Sequence, residues 1–218
     1  MDEETQTEAA FRSALRDLEF LNRITFAYYP VLGWLDRIVR ERSLKTLSVL
    51  DVGAGGGDML RRIAAWAEKR GIAVELTGLD RSPWAGEAAR AAGTPGQWIT
   101  ADLFTLDETA RYDVVIASLF AHHLPDPELT RFLRWMEARA RIGWLVSDIH
   151  RNFIPWLALW AGTRILRLDP MVVHDSTASV SRAFHKADLR RVADGAQVDA
   201  RIAWHPLFRW TLSSARAS

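Results

Sequence analysis

The stretch Val49-Leu50-Asp51-Val52-Gly53-Ala54-Gly55-Gly56-Gly57-Asp58-Met59-Leu60 decides the fold. Its first four residues continue an apolar run from Leu47 that reads as a short strand. Its end opens a helical pattern from Met59 to Lys69. Between them Gly53, Gly55 and Gly57 lack a Cβ, so the backbone can turn sharply and approach a ligand closely. A dinucleotide fingerprint, G-x-G-x-x-G, closes on Gly or Ala, whereas Asp58 stands at that place here. A carboxylate at a helix start repels a pyrophosphate and tolerates a cationic ligand that has no phosphate. The spacing therefore speaks against NAD and for S-adenosylmethionine.

Outward from the loop, strand-like runs recur at Ala73–Leu79, Gln97–Thr100, Tyr112–Ser118 and Ile142–Ile149. Helical patterns alternate with them at Trp84–Ala92 and Pro127–Arg139. Such alternation builds a parallel sheet covered on both faces, with ligands bound outside the carboxyl ends of its strands. Two further runs, near Val198–Trp204 and Leu207–Leu212, are separated only by His205-Pro206, a link that suits an antiparallel hairpin on one sheet edge. Residues 9–42 read as two helices, interrupted at Tyr28-Tyr29-Pro30 because Pro disfavours the α conformation before it. After the fifth strand come an amphipathic helix, Phe153–Leu168, then a polar loop through Ser181 and a helix at Lys186–Ala193.

The 218 residues suit one domain, and 49% apolar with 25% charged residues excludes a disordered tail or a fibre. A net charge of +1 gives no electrostatic case for nucleic acid or an anionic membrane. With no cysteine there is no disulfide, thiolate nucleophile or cysteine-based zinc site. The acidic start, Met-Asp-Glu-Glu-Thr, is unlike a signal peptide, and Phe153–Leu168 is broken by Pro155, Arg164 and Arg167, too short and charged to span a bilayer. The expectation is a cytoplasmic protein without an integral membrane segment. Ten tryptophans hint at an aromatic-lined cavity, although ordinary core packing also uses them.

Two more acids support the sulfonium cofactor. Asp80 ends the second strand, where a carboxylate can accept both hydroxyls of a ribose, and Asp102 follows the third, placed to accept from an adenine amino group. Each alone also serves as a turn former or helix cap. Over about residues 45–150 the chain resembles the class I S-adenosylmethionine-dependent methyltransferases, in particular small bacterial enzymes acting on small molecules. The resemblance implies that Asp51, Gly53, Ala54, Gly55 and Gly57 hold the methionine part of S-adenosylmethionine, Asp80 the ribose, and Arg81 the side of the adenine. It places Asp102 and the Leu103 amide at the adenine and Ser118 beneath the cofactor. Ala54 departs mildly from the Cys or Ser often found there.

The fold so implied is α/β and Rossmann-like: a mostly parallel seven-stranded sheet with an antiparallel last strand, helices on both faces and an N-terminal helical lid. Residues 1–44 would form that lid and 45–218 the core, with a lid insertion around 152–181, all in one compact domain. Both lid segments are aromatic, and Tyr28, Trp156 and Trp160 are the expected substrate contacts. Such a wall favours a flat hydrophobic acceptor.

Methyl transfer to a hydroxyl gains from a base, and histidine titrates in the useful range. His122 and His123 follow the fourth strand, and His150 ends the fifth beside Asp148. The segment is similar to the base-bearing stretch of plant-type O-methyltransferases, with His122 at the matching position. The same histidine pair occurs in quinone-type C-methyltransferases, so base and structural cap both stay open for His122. His123 is expected to pack or cap, His150 is the second candidate for base or substrate contact, and His174 is expected in a solvated loop. The acids of a catechol-type magnesium site are missing after strands four and five, so a metal-free reaction is expected. The alternatives are C- or N-methylation of a quinone-like or other metabolite, or a non-catalytic cofactor-binding subunit.

Overall fold

The computed structural model describes residues 8–166, 168 and 170–215. Seven strands form one sheet: β1 (Thr46–Val52), β2 (Ala73–Asp80), β3 (Gln97–Thr100), β4 (Tyr112–Ser118), β5 (Ala140–Ile149), β6 (Arg201–His205) and β7 (Arg209–Ala215). Their order is β3-β2-β1-β4-β5-β7-β6. The ladders from β3 to β5 are parallel, and β7 runs antiparallel to both neighbours, β5 and β6. The expected sheet and edge hairpin are both present. Strand order reverses between β1 and β4, so the connections leave to opposite faces there and open a crevice at the carboxyl tips.

Period-two alternation assigns each face its core. Leu47 and Val49 of β1, with Leu145 of β5, lie under α2 (Tyr29–Arg42) and α3 (Asp58–Glu68). Leu50, Val52, Trp144 and Val146 face α5 (Asp126–Arg139) and α8 (Lys186–Ala196). The expected N-terminal lid thus divides in two. α2 is a core helix, burying Val31, Trp34, Leu35 and Ile38 against the sheet. α1 (Glu8–Ile24) stands over the strand tips, where its Ala14 and Leu21 meet Val172 of α7 (Pro170–Arg182) and Leu159 of α6 (Phe153–Ile165). Ion pairs from Arg12 to Glu87 on α4 (Ala85–Ala91) and from Glu19 to Arg61 on α3 hold α1 down.

Two sequence expectations are corrected. The segment read as a polar loop through Ser181 is largely the helix α7. Among the described residues its inward positions are Val172, Ser176, Ser179 and Val180, a helical spacing that hydropathy conceals because two of these are serines. His174 lies within α7 and not in a loop, and its side chain, like Arg167 and Asp169, is outside the described residues. The helix read as amphipathic, α6, is apolar nearly all round: Thr163 is its one buried residue, while Phe153, Ile154, Leu157 and Trp160 are exposed. Among the described residues no helix is long and apolar enough to cross a membrane.

Candidate active site

A cavity of about 1700 Å³ opens at the carboxyl tips of β1, β2, β4 and β5, roofed by α1, α6 and α7. One ordinary ligand fills roughly 300–1,000 Å³, so there is room for a cofactor and an acceptor together. Its floor is the glycine loop. The amides of Gly53 and Ala54 donate to the Leu79 carbonyl at 2.8 and 3.1 Å, which lashes the loop to β2. Gly53 has φ +72°, and a Cβ there would stand 2.4 Å from Cδ2 of Phe120. Gly57 has φ +71°, and a Cβ would meet Thr94 and Trp98 at 2.6 and 2.8 Å. Only glycine fits either place.

Asp80 accepts from the Gly55 amide at Oδ2 and from the Ser82 amide at Oδ1, each at 2.8 Å. A carboxylate oxygen has two acceptor directions, so even with the Arg81 amide also bonded to the group one direction stays open for a ligand hydroxyl. Burial raises the Asp80 pKa against the pull of those amides and of Arg81. Asp102 caps a short helical turn, its Oδ1 accepting from the Phe104 amide at 2.8 Å. Of the residues expected at the cofactor, Gly53, Ala54, Gly55, Asp80, Arg81, Asp102, Leu103 and Ser118 line the cavity. Asp51 and Gly57 do not; Asp51 is buried on β1 behind the loop, where desolvation, then Asp58 and Asp80, push its pKa well up. Asp58 at the start of α3 lines the cavity and accepts from Asn22 at 3.0 Å and from the Tyr28 hydroxyl at 2.8 Å. Tyr28 itself is buried away from the cavity, so it holds Asp58 instead of touching substrate as expected. Burial and the adjoining Asp58 push the Tyr28 phenol up.

Past β4 the chain turns through Leu119, which takes φ +56°, a costly conformation for a branched side chain. That turn sets Phe120 over Gly53 and buries His122. His122 Nδ1 lies 2.8 Å from Asp148 Oδ1, its amide donates to Asp148 Oδ2 at 3.1 Å, and its Nε2 lies 3.0 Å from Ser179 Oγ on α7. Burial opposes ionisation of Asp148, but the His122 charge and ring bond and the amides of Ile149 and His122 together hold its pKa below the usual range. In a neutral His122 ring, donation from Nδ1 to that carboxylate leaves the lone pair on Nε2. Ser179 had no local sequence signal except the spacing of the helix that carries it.

The other predicted contacts fall elsewhere. His123 is exposed at the cavity rim, its ring 4.2 Å from that of His122. His150 does not line the cavity; it sits among His185, Phe208 and Trp210, so it is corrected to a packing residue. Desolvation and His185 lower its pKa. Trp156 and Trp160 stack with Phe153 on the outer side of α6, and that helix presents Ile154, Ala158 and Leu159 to the cavity instead. Among the described residues no three His, Asp or Glu side chains gather as metal ligands would.

Residues 49–143 match the family model described as a methyltransferase domain. In 151 residues the chain is 30% identical to a ubiquinone biosynthesis O-methyltransferase of Aromatoleum aromaticum, covering 66% of this chain and 61% of that one. The likeness to a methyltransferase domain is thus carried by residues 49–143. The mitochondrial ubiquinone biosynthesis O-methyltransferase of Candida albicans is 27% identical over 195 residues, which are 82% of this chain and 57% of the relative. The chain therefore spans about 60% of the length of these curated relatives. Among solved structures it shares the fold of a plantazolicin methyltransferase bound to a desmethyl analogue and S-adenosylhomocysteine, with a TM-score of 0.65 and 13% identity over 92% of this chain and 79% of that one. The magnesium protoporphyrin IX methyltransferase of Synechocystis PCC 6803 gives 0.56 and 19%, over 100% and 90%. The glycine floor and the two strand-end carboxylates of this chain fit the S-adenosyl ligand that these solved structures hold.

Proposed function

We propose that the protein methylates a hydroxyl of a small aromatic acceptor. The reading rests on the buried Asp148–His122 pair, which aims a basic Nε2 at a cavity-lining hydroxyl. S-adenosylmethionine supplies, when bound, a methyl group on a sulfonium already activated for in-line displacement. The chain's own work is alignment, exclusion of water and removal of one proton. The backbone of Gly53 and Gly55 and the carboxylates of Asp80 and Asp102 hold the cofactor on the floor. α1 and α6–α7 close over it and exclude water. The acceptor hydroxyl gives its proton to Ser179 Oγ as the Ser179 proton passes to His122 Nε2. Asp148 stabilises the resulting imidazolium.

A second reading follows from the burial of His122 and the protein partners on both its ring nitrogens. There the trio only braces α7 on β5, and methylation falls on carbon or nitrogen. Turnover of a panel of phenols and catechols, with products located by mass spectrometry, separates the two. Oxygen methylation should fall about 10²–10⁴-fold in His122→Gln while calorimetry finds cofactor affinity unchanged. Carbon or nitrogen products, or an indifferent His122→Gln, would overturn the base assignment; no methyl product from any acceptor would favour a non-catalytic subunit.

A further inference from the structure

Arg209 opens β7, is 5% exposed, and lines the cavity. Its Nη2 donates to Thr25 Oγ1 at 2.9 Å, while Nε and Nη1 find no hydrogen-bond partner among the described residues. A buried cation with orphaned donors is costly, because each donor has lost water and gained nothing. Desolvation dominates here: it lowers the guanidinium pKa to about 10 against the opposing pull of Asp148 and Tyr28. The neighbours thus fail to compensate the burial. A planar guanidinium that still has unused N–H groups is the natural counterpart of a carboxylate.

The register says where such an anion would lie. Arg209 pairs directly with Ile149, and Asp148 with Trp210. Successive side chains alternate across a sheet, so Arg209 projects on the face of α1 and α2, opposite the face of Asp148 and His122. An oxyanion on Arg209 is therefore a different group from the hydroxyl that reaches Ser179.

Resting on the methyl-transfer reading above, we propose that Arg209 anchors a carboxylate of the acceptor, making the substrate an aromatic hydroxy acid that lies across the strand tips. The acid is held at the β7 side and its hydroxyl is presented at the β4–β5 side. Burying a charge without a protein partner serves binding at the expense of stability.

The test compares 3,4-dihydroxybenzoate with its methyl ester in the full chain. Wild type should prefer the acid in kcat/KM, and Arg209→Met should lower kcat/KM for the acid about 10- to 100-fold while leaving the ester near its wild-type value. Thr25→Val keeps the cation and should keep the preference. Without acceptor, Arg209→Met should melt no lower than wild type, since an apolar side chain of similar length removes an uncompensated buried charge. An equal loss for acid and ester, or a wild-type preference for the ester, would overturn the proposal; so would a lower melting temperature in Arg209→Met with its acid preference intact. Calorimetry of 3,4-dihydroxybenzoate binding to protein loaded with S-adenosylhomocysteine separates this idea from the one it rests on. Arg209-dependent binding without turnover keeps the anion site and refutes hydroxyl methylation. Turnover of both compounds indifferent to Arg209 does the reverse.

Discussion

Replacing Asp148 by Asn changes one oxygen to an amide and should damage both stability and chemistry. Asp148 Oδ1 accepts from His122 Nδ1 and the Ile149 amide, and Oδ2 accepts from the His122 amide. Asn has one acceptor oxygen, so in either orientation its NH2 faces at least one backbone N–H. Orphaning a buried N–H costs about 1–3 kcal/mol, and losing a buried charge from its pair raises the total to about 2–4 kcal/mol. For a chain of this length, 1 kcal/mol moves the melting temperature about 2–4 °C, so a fall of roughly 5–15 °C is expected. The pH dependence has a definite sign. The folded pKa of Asp148 is depressed, so its contribution is complete above the unfolded value of about 3.9 and is lost as pH falls through the folded one. The deficit of Asp148→Asn should stay flat from pH 8 to 5 and shrink below about pH 4, as read by thermal unfolding across a buffer series. Methyl transfer should fall about 10²–10⁴-fold when the Asn amide turns the ring to the other tautomer. A deficit under about 0.5 kcal/mol at pH 7, or one that grows toward acid, would refute the assignment of Asp148 as a charged partner.

Gly53→Ala should all but abolish calorimetric binding of S-adenosylhomocysteine and cost about 1–3 kcal/mol, because its Cβ collides with Phe120 at a positive φ. Tyr28→Phe removes the hydroxyl that donates to Asp58 and should destabilise by about 1 kcal/mol in chemical denaturation, with acceptor selectivity unaltered. Trp160→Ala, on the outer side of α6, should leave kcat/KM for a small phenol within about two-fold of wild type, since an exposed side chain away from special features rarely matters; a ten-fold loss would return it to the substrate wall.

What the sequence made legible was local. Asp51, Asp80 and Asp102 each follow or end a strand within a few residues of a recognisable apolar run, and three glycines mark the loop. What stayed hidden came from pairings between distant segments. Ser179 reaches His122 across 57 residues and Arg209 reaches Thr25 across 184, with nothing in either neighbourhood to advertise it. α7 escaped notice because Ser176 and Ser179 occupy inward positions that periodicity assigns to apolar side chains, although Pro170 at its first turn was a legitimate start signal. Trp156 and Trp160 were misplaced for the opposite reason: in a helix apolar on every side, hydropathy carries no information about which side faces in. His150 was the natural companion to Asp148 by adjacency, but β5 ends at Ile149 and the chain beyond it seats the His150 ring among His185, Phe208 and Trp210, outside the cavity lining.

β7 threads between β5 and β6, and this has a consequence during translation. The glycine loop, Asp80 and β4 are all synthesised by residue 118, whereas β7 is finished only at residue 215. At roughly 5–20 residues per second, the 66 residues from Ile149 to Ala215 leave β5 without its neighbour for about 3–13 s. In that interval Trp144, Leu145 and Val146 form a naked apolar border. A nascent chain stalled there should recruit holdase chaperones, and one released past Ala215 should let them go.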